Sequence, residues 1–347
     1  LKKIVSTAAA LMLAALFFSC DLLREEIAFT GSTMGTTYQV KLVTGYFSGS
    51  EGLQQKIDAR LKEINQSMST YLPDSEISRF NSLTTAGESI PVSDDFLQVM
   101  RTARKIFEMS GGAWDGTVDP LVRLWGFGRG PNSPGIPDEE QLQQQLQHVG
   151  FDFIRILDSG ELAKTQPAVT LDLGSIAKGF GVDQIAALLQ AEGHTDFLVE
   201  IGGEVYAAGS RIDGKPWRIG VNHPGKDAPI HKIYRVAELS NRALATSGDY
   251  RNFFEIDGRL YSHVIDPRTA YPVANGVVSV TVTAESCTLA DGLATAVMVM
   301  GHRQGLALVQ RLEGVECLIV VQAPDGSFTD HVSSGFPPDI FYKKPSE

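Results

Sequence analysis

Asp291 and Thr295 stand four residues apart at the start of an apolar run, so on a helix their oxygens share one face. A hard cation such as Mg²⁺ binds through one or two carboxylates and completes its shell with substrate phosphates and water. The pair therefore predicts half of a metal site that a phosphorylated ligand finishes. The same stretch also reads as a capping box, with Thr288 as the cap and Asp291 reaching back to it.

Three further segments carry chemistry-bearing residues. Val169 to Gly181 predicts a strand, a Gly174-Ser175 turn and a helix start. A helix N-terminus offers unpaired N–H groups and a partial positive charge, which suit a phosphate. Gly179 and Gly181 each cost roughly 1 kcal/mol against alanine inside a helix, so close packing on a ligand or on another backbone is expected there. The spacing is neither a Walker A nor a dinucleotide fingerprint, and the segment also reads as a strand-to-helix turn with a good cap. His263 precedes a turn marked by Asp266-Pro267 and Pro272. It reads as an acid–base group near neutral pH or as the partner of a turn carbonyl. Tyr71 and Trp114 sit in small-residue turns, suited to stacking on a flat ring or to core packing.

The elements that must position these residues follow from periodicity. Ile27 to Val43 has strand composition around a glycine-flanked kink and predicts a hairpin. Leu53, Ile57, Leu61 and Ile64 recur at helical spacing, and a second helix is expected from Asp94 to Met109, ending at Gly111-Gly112. Residues 128–137 are rich in proline and glycine and predict an exposed loop, a joint between subdomains. Asp138 then caps a glutamine-rich helix, and strands are expected around Phe151–Leu157 and Val169–Leu173. A long helix covers Ile176 to Glu192. Strand-rich segments follow at Phe197–Ala208, Trp217–Val221, Tyr234–Leu239, Phe253–Ile256, Val277–Thr283 and Leu318–Gln322. Strands in succession, without regular helix alternation, predict an α+β fold with largely antiparallel sheets and helices packed on them.

A chain of 347 residues that is 43% hydrophobic holds ample core, which excludes a disordered class. The formal net charge of −11, with no Lys/Arg-rich run after residue 3, excludes a nucleic-acid surface. An acidic protein handling a polyphosphate draws its positive charge from elsewhere, and a divalent cation supplies it. Residues 1–19 read as a signal peptide: a basic start at Lys2-Lys3, an apolar stretch too short for a membrane span, and Ser19 before Cys20. The end resembles the lipobox of bacterial lipoproteins, in which Cys20 is acylated and residues 20–30 form a tether, although Phe17 stands where leucine is usual. An ordinary cleaved signal and a retained anchor are the competing readings. Cys287 and Cys317 show no metal or redox spacing and read as buried small hydrophobes.

Taken together, Thr33-Met34-Gly35-Thr36, Ser69-Thr70-Tyr71 through Asn81, Asp172 to Lys178, His263 through Asp266-Pro267, and Ala290-Asp291-Gly292-Leu293-Ala294-Thr295-Ala296 occur in one order over nearly the whole mature chain. In this the chain resembles the ApbE-like family of FAD:protein FMN transferases, bacterial and often lipid-anchored. The resemblance implies one T-fold-related catalytic domain over residues 31–347, with the FAD site in a central cleft. It implies cleavage of the FAD pyrophosphate, release of AMP, and attachment of FMN by a phosphoester to a threonine of an acceptor protein, such as a subunit of a membrane redox pump. By the same resemblance Asp291 and Thr295 hold Mg²⁺ with Ser175 nearby, and Met34 and Tyr71 pack on the flavin. Ala113, Trp114, Asp115, Asp172, Lys178 and Ile265 match FAD-contacting positions, and His263 matches the acid–base residue. The expected location is the cell envelope facing the periplasm, with Asp21 after Cys20 favouring the inner membrane. Hydrolysis of FAD to FMN and AMP, or flavin binding without catalysis, are the alternative readings.

Overall fold

The computed structural model describes residues 24–45, 50–127, 134–226, 228–229, 232–249 and 253–337. The expected signal peptide, Cys20 and most of the 128–137 segment lie outside them.

Eight strands form one antiparallel sheet in which every neighbour in space is also the next main-sheet strand in sequence. They are β1 (Arg24–Thr33), β2 (Thr36–Gly45), β3 (Asp196–Ile201), β4 (Glu204–Ala208), β5 (Arg242–Gly248), β6 (Val277–Ala284), β7 (Glu316–Gln322) and β8 (Phe328–Val332). The expected hairpin is β1–β2, closed at Met34-Gly35, where both residues take positive φ. The Phe197–Ala208 segment is itself a hairpin, turning at Gly202-Gly203 so that Phe197 faces Ala208. Short sheets flank the main one. Ser89–Pro91, Glu161–Lys164 and Ile154–Ile156 form one, and Trp217–Asn222 with Ile233–Leu239 another.

Alternation along the strands sends successive side chains to opposite faces. On one face Val40, Leu42, Ala243 and Ala245 are buried against helices. On the other Val43, Val205, Ala207 and Leu244 meet Trp217, Ile219 and Leu239 of the flanking hairpin. The four longest helices are α1 (Leu53–Met68), α2 (Asp94–Ser110), α3 (Ala177–Ala191) and α4 (Cys287–Val309). The first two show one buried stripe each. In α3 and α4 apolar residues surround the axis, as expected of helices in the interior. At Gly301 α4 is interrupted, with φ 79°. The freed carbonyls of Met298 and Val299 accept hydrogen bonds from the Asn275 amide, at 2.9 and 3.3 Å.

Two sequence expectations fail here for one physical reason: side chains, not neighbouring strands or local caps, satisfy the backbone. Val169–Leu173 is no strand. Leu171 N–H donates to Asn81 Oδ1 at 2.7 Å, Asn81 Nδ2 donates to Leu171 O at 2.9 Å, and the buried Lys164 ammonium donates to Val169 O at 3.1 Å. The Thr288/Asp291 capping box does not form either. Ser286 is the cap of α4, accepting from Leu289 N–H. Asp183 of α3 closes the same end, its carboxylate accepting from Ser286 Oγ (2.7 Å), Cys287 N–H (2.7 Å), Thr288 N–H (2.9 Å) and Thr288 Oγ (2.5 Å).

Asp183 thus gives the N-terminus of α4 both hydrogen-bond acceptors and a compensating negative charge. Asp183→Ala orphans donors at a helix end, and a loss of about 1–3 kcal/mol in stability is expected. Urea unfolding followed by circular dichroism checks it. A midpoint equal to that of the parent would show that water replaces the carboxylate without cost.

Candidate active site

Where α3, α4 and the ends of β4 and β5 converge, a cavity of about 850 Å³ opens. Its lining takes in Thr70 and Tyr71 as well as His263, Val264, Ile265 and Pro267.

The approach of α3 to α4 sets its floor. A Cβ at Gly179 would overlap the Cys287 carbonyl and lie 2.9 Å from Asp291 Cβ, so only glycine permits the crossing. Gly179 N–H, in the first turn of α3, donates to Asp291 Oδ2 at 3.0 Å. The carboxylate expected to hold a metal therefore also closes a helix N-terminus, that of α3. The good cap that the segment also suggested does not form. Helix α3 begins at Ala177 without a side-chain cap of its own, and Ser175 Oγ accepts from Trp114 Nε1 at 2.9 Å.

Lys178 projects into the cavity between two buried carboxylates. Its ammonium is 2.6 Å from Glu204 Oε1 and 3.9 Å from Asp291 Oδ1. Burial alone would lower the lysine, but Asp291 and Glu204 outweigh it and raise it, so the ammonium stays charged. Burial raises Asp291, opposed by Lys178 and by Gly179 N–H. Burial raises Glu204, the Asp291 charge adds to this, and Lys178 opposes both. One turn after Asp291, Thr295 Oγ lies 3.1 Å from Ser247 Oγ.

Asp291, Thr295 and Ser175 are hard oxygen donors that all line the cavity. Among the described residues no cluster of three or more carboxylate, imidazole or thiolate ligands occurs. This donor set fits a cation such as Mg²⁺ that takes its remaining ligands from substrate phosphates and water.

Of the residues expected to contact flavin dinucleotide, Tyr71, Ala113, Trp114, Asp115, Asp172, Lys178 and Ile265 all line the cavity, as does His263. Their side chains are not equally available. Tyr71 is 73% exposed at the mouth, whereas Trp114 is buried and its ring meets Phe151 edge-on. Both Asp115 oxygens are engaged: Oδ1 accepts from Thr117 N–H and Oγ, and Oδ2 from Phe151 N–H at 2.9 Å. Burial raises Asp115 and these bonds oppose it, so its carboxylate braces the wall. Asp172 Oδ1 accepts from Gly174 N–H at 2.7 Å, shaping the turn before α3. His263 meets Phe127 edge-on. Met34 is the exception. It is half-buried at the β1–β2 turn, packs over Gly181 and does not line the cavity.

Glu204, Asp183 and Ser247 escaped the sequence reading. The available signal was polarity out of place: a carboxylate at an inward position of β4, and another inside an apolar helix. Cys287 and Cys317 are free and buried as expected. Burial pushes the Cys287 thiol up, and the Cys317 thiol up to about 12, so neither serves as a thiolate nucleophile.

Comparison with known proteins accords with this geometry. The model of the ApbE family matches residues 34–319. The FAD:protein FMN transferase of Vibrio cholerae is 42% identical over 336 residues, covering 96% of this chain and 98% of that protein. The enzyme of the same name from Haemophilus influenzae is 39% identical over 341 residues, covering 97% and 98%. The solved structure of the flavin transferase ApbE from Vibrio cholerae superposes with a TM-score of 0.82, covering 90% of this chain and 98% of that one. The cavity built on α3 and α4 and the match across most of both chains place this protein in the ApbE family.

Proposed function

We propose that this chain is a Mg²⁺-dependent FAD:protein FMN transferase, which cleaves the FAD pyrophosphate, releases AMP and joins FMN to a threonine of an acceptor protein. The observation that carries the reading is the convergence of Asp291, Thr295, Lys178 and His263 on one cavity, in a chain whose relatives bear that enzyme name.

Asp291 and Thr295, with Ser175 nearby, would hold the cation, which when bound polarises phosphate oxygens and neutralises developing charge. The protein's own work is positioning and proton transfer. Lys178 presents its ammonium to the phosphates, held in place by Glu204. Tyr71 at the mouth stacks on the isoalloxazine ring, leaving the pyrophosphate over the floor. An imidazole nitrogen of His263 accepts the proton of the attacking threonine hydroxyl. The oxygen–phosphorus bond to FMN forms, the pyrophosphate P–O bond breaks, and the electron pair leaves with AMP.

The reading is tested by incubating the protein with FAD, Mg²⁺ and a threonine-containing acceptor, and following AMP by chromatography and the FMN adduct by mass spectrometry. AMP with free FMN and no adduct would make the chain a hydrolase. FAD retention without AMP would make it a flavin-binding protein.

Tyr71→Asn removes an aromatic partner worth about 0.5–1.5 kcal/mol beyond burial, so FAD should bind roughly 2- to 10-fold more weakly in calorimetry. Unchanged affinity would take Tyr71 out of the flavin contact. His263→Ala should slow single-turnover transfer by about 10²–10⁴-fold at saturating FAD and Mg²⁺, with little change in FAD affinity. A rate within about threefold of the parent would leave positioning as the whole contribution of the chain.

We also propose that Cys20 carries the lipid anchor and that the enzyme faces the periplasm. No described helix is long and apolar enough to cross a membrane. Cys20→Ser should move the protein from the membrane to the soluble fraction without loss of activity. An unmodified Cys20 in the membrane-bound mature protein would overturn the anchor.

A further inference from the structure

Glu204 occupies a costly position. It is 3% exposed, its Oε1 is 2.6 Å from the Lys178 ammonium, and its Oε2 has no hydrogen-bond partner. A buried carboxylate with one oxygen unmet carries a desolvation penalty that a single contact offsets only in part. Stability alone does not account for the pair, since apolar residues of similar volume in such a place are often as good or better. What the pair does set is the place of the Lys178 ammonium relative to Asp291. Lys178 lies within reach of both carboxylates and is 1.3 Å nearer to Glu204 than to Asp291 (2.6 against 3.9 Å). Asp291 Oδ2 is taken by Gly179 N–H, which leaves Oδ1 as the oxygen that Lys178 would capture.

We propose that Glu204 is a positioning residue that holds Lys178 off Asp291, so that Asp291 Oδ1 and its charge stay available to the divalent cation. The inference rests on the reading of Asp291 as a cation ligand. The ammonium is shared unequally between two buried carboxylates, and the shorter contact is with Glu204. With Glu204 replaced by glutamine, the ammonium turns to the one carboxylate left, pairs directly with Oδ1, and occupies the place of the cation.

Mn²⁺ is a suitable probe, because its binding to the FAD-free protein is read by electron paramagnetic resonance without turnover. Glu204→Gln preserves shape, and circular dichroism checks that it is folded. Its Mn²⁺ affinity should fall by about 10- to 100-fold, the range seen when partners behind a metal ligand are removed. Adding Lys178→Met to Glu204→Gln should restore affinity to within about threefold of the parent on the same account, because no ammonium remains to take Asp291. A packing role for Glu204 predicts no such rescue. Parent-like binding in Glu204→Gln, or weak binding that Lys178→Met does not restore, would overturn the proposal while leaving the cation site intact. An Asp291→Asn variant that bound Mn²⁺ like the parent would instead overturn the cation site, and the proposal with it.

Discussion

The crossing of α3 over α4 at Gly179 is the constraint on which the site depends. Two apolar helices approach until the backbone of one touches the backbone of the other, which a single side-chain carbon would prevent. At that distance each helix can close the other's N-terminus. Asp183 of α3 takes the donors that open α4, and Asp291 of α4 takes Gly179 N–H in the first turn of α3. A helix end left open in the interior would carry unpaired N–H groups, so this reciprocal closure is what lets both ends be buried.

The same arrangement fixes the chemistry. Asp291 has one oxygen pinned by the fold, which sets the direction of the other. Thr295 follows one turn later, and its hydroxyl is held by Ser247 at the end of β5. Trp114 Nε1 fixes Ser175, and Glu204 at the start of β4 fixes Lys178. Each group that would face the pyrophosphate is thus oriented by a partner on a different element. Such support is what holds a site in geometry before its ligand arrives.

Local pattern made some of this legible and hid the rest. The hairpin of β1 and β2, the helices α1 and α2, and the Asp291/Thr295 pair depend on short-range period and turn chemistry, which a sequence displays directly. The segment Val169–Leu173 alternates like a strand, yet its backbone is matched by the Asn81 amide some ninety residues away in sequence. No local pattern reports that. Thr288 and Asp291 have the spacing of a capping box, but a half-buried carboxylate from α3 outcompetes it. Glu204 was hidden because its meaning comes from Lys178, brought beside it by the hairpin of β3 and β4 and the start of α3. The glycines were better guides. Gly179 inside a helix announced a close approach, although what approaches is a helix and not a ligand.

Charge gives the arrangement its functional sense. Asp115, Asp119, Asp172, Glu204 and Asp291 all line the cavity, against Lys178 and Arg123. Both cationic side chains are already paired, Lys178 with Glu204 and Arg123 with Asp119 at 2.8 Å. A pyrophosphate entering such a cavity meets a helix N-terminus that Asp291 has already closed and side-chain cations that carboxylates already neutralise. Attraction by the protein alone is therefore weak, and on the proposed reading a divalent cation supplies the positive charge. On that reading Asp291 and Thr295 would hold the cation, and Lys178, kept on Glu204, would present a second charge to the phosphates. A site built with more lysines would hold the nucleotide more tightly before and after reaction alike. One that takes its charge from a cation would spare that ground-state binding, so that binding strength can be concentrated in the state in which the phosphates are being parted.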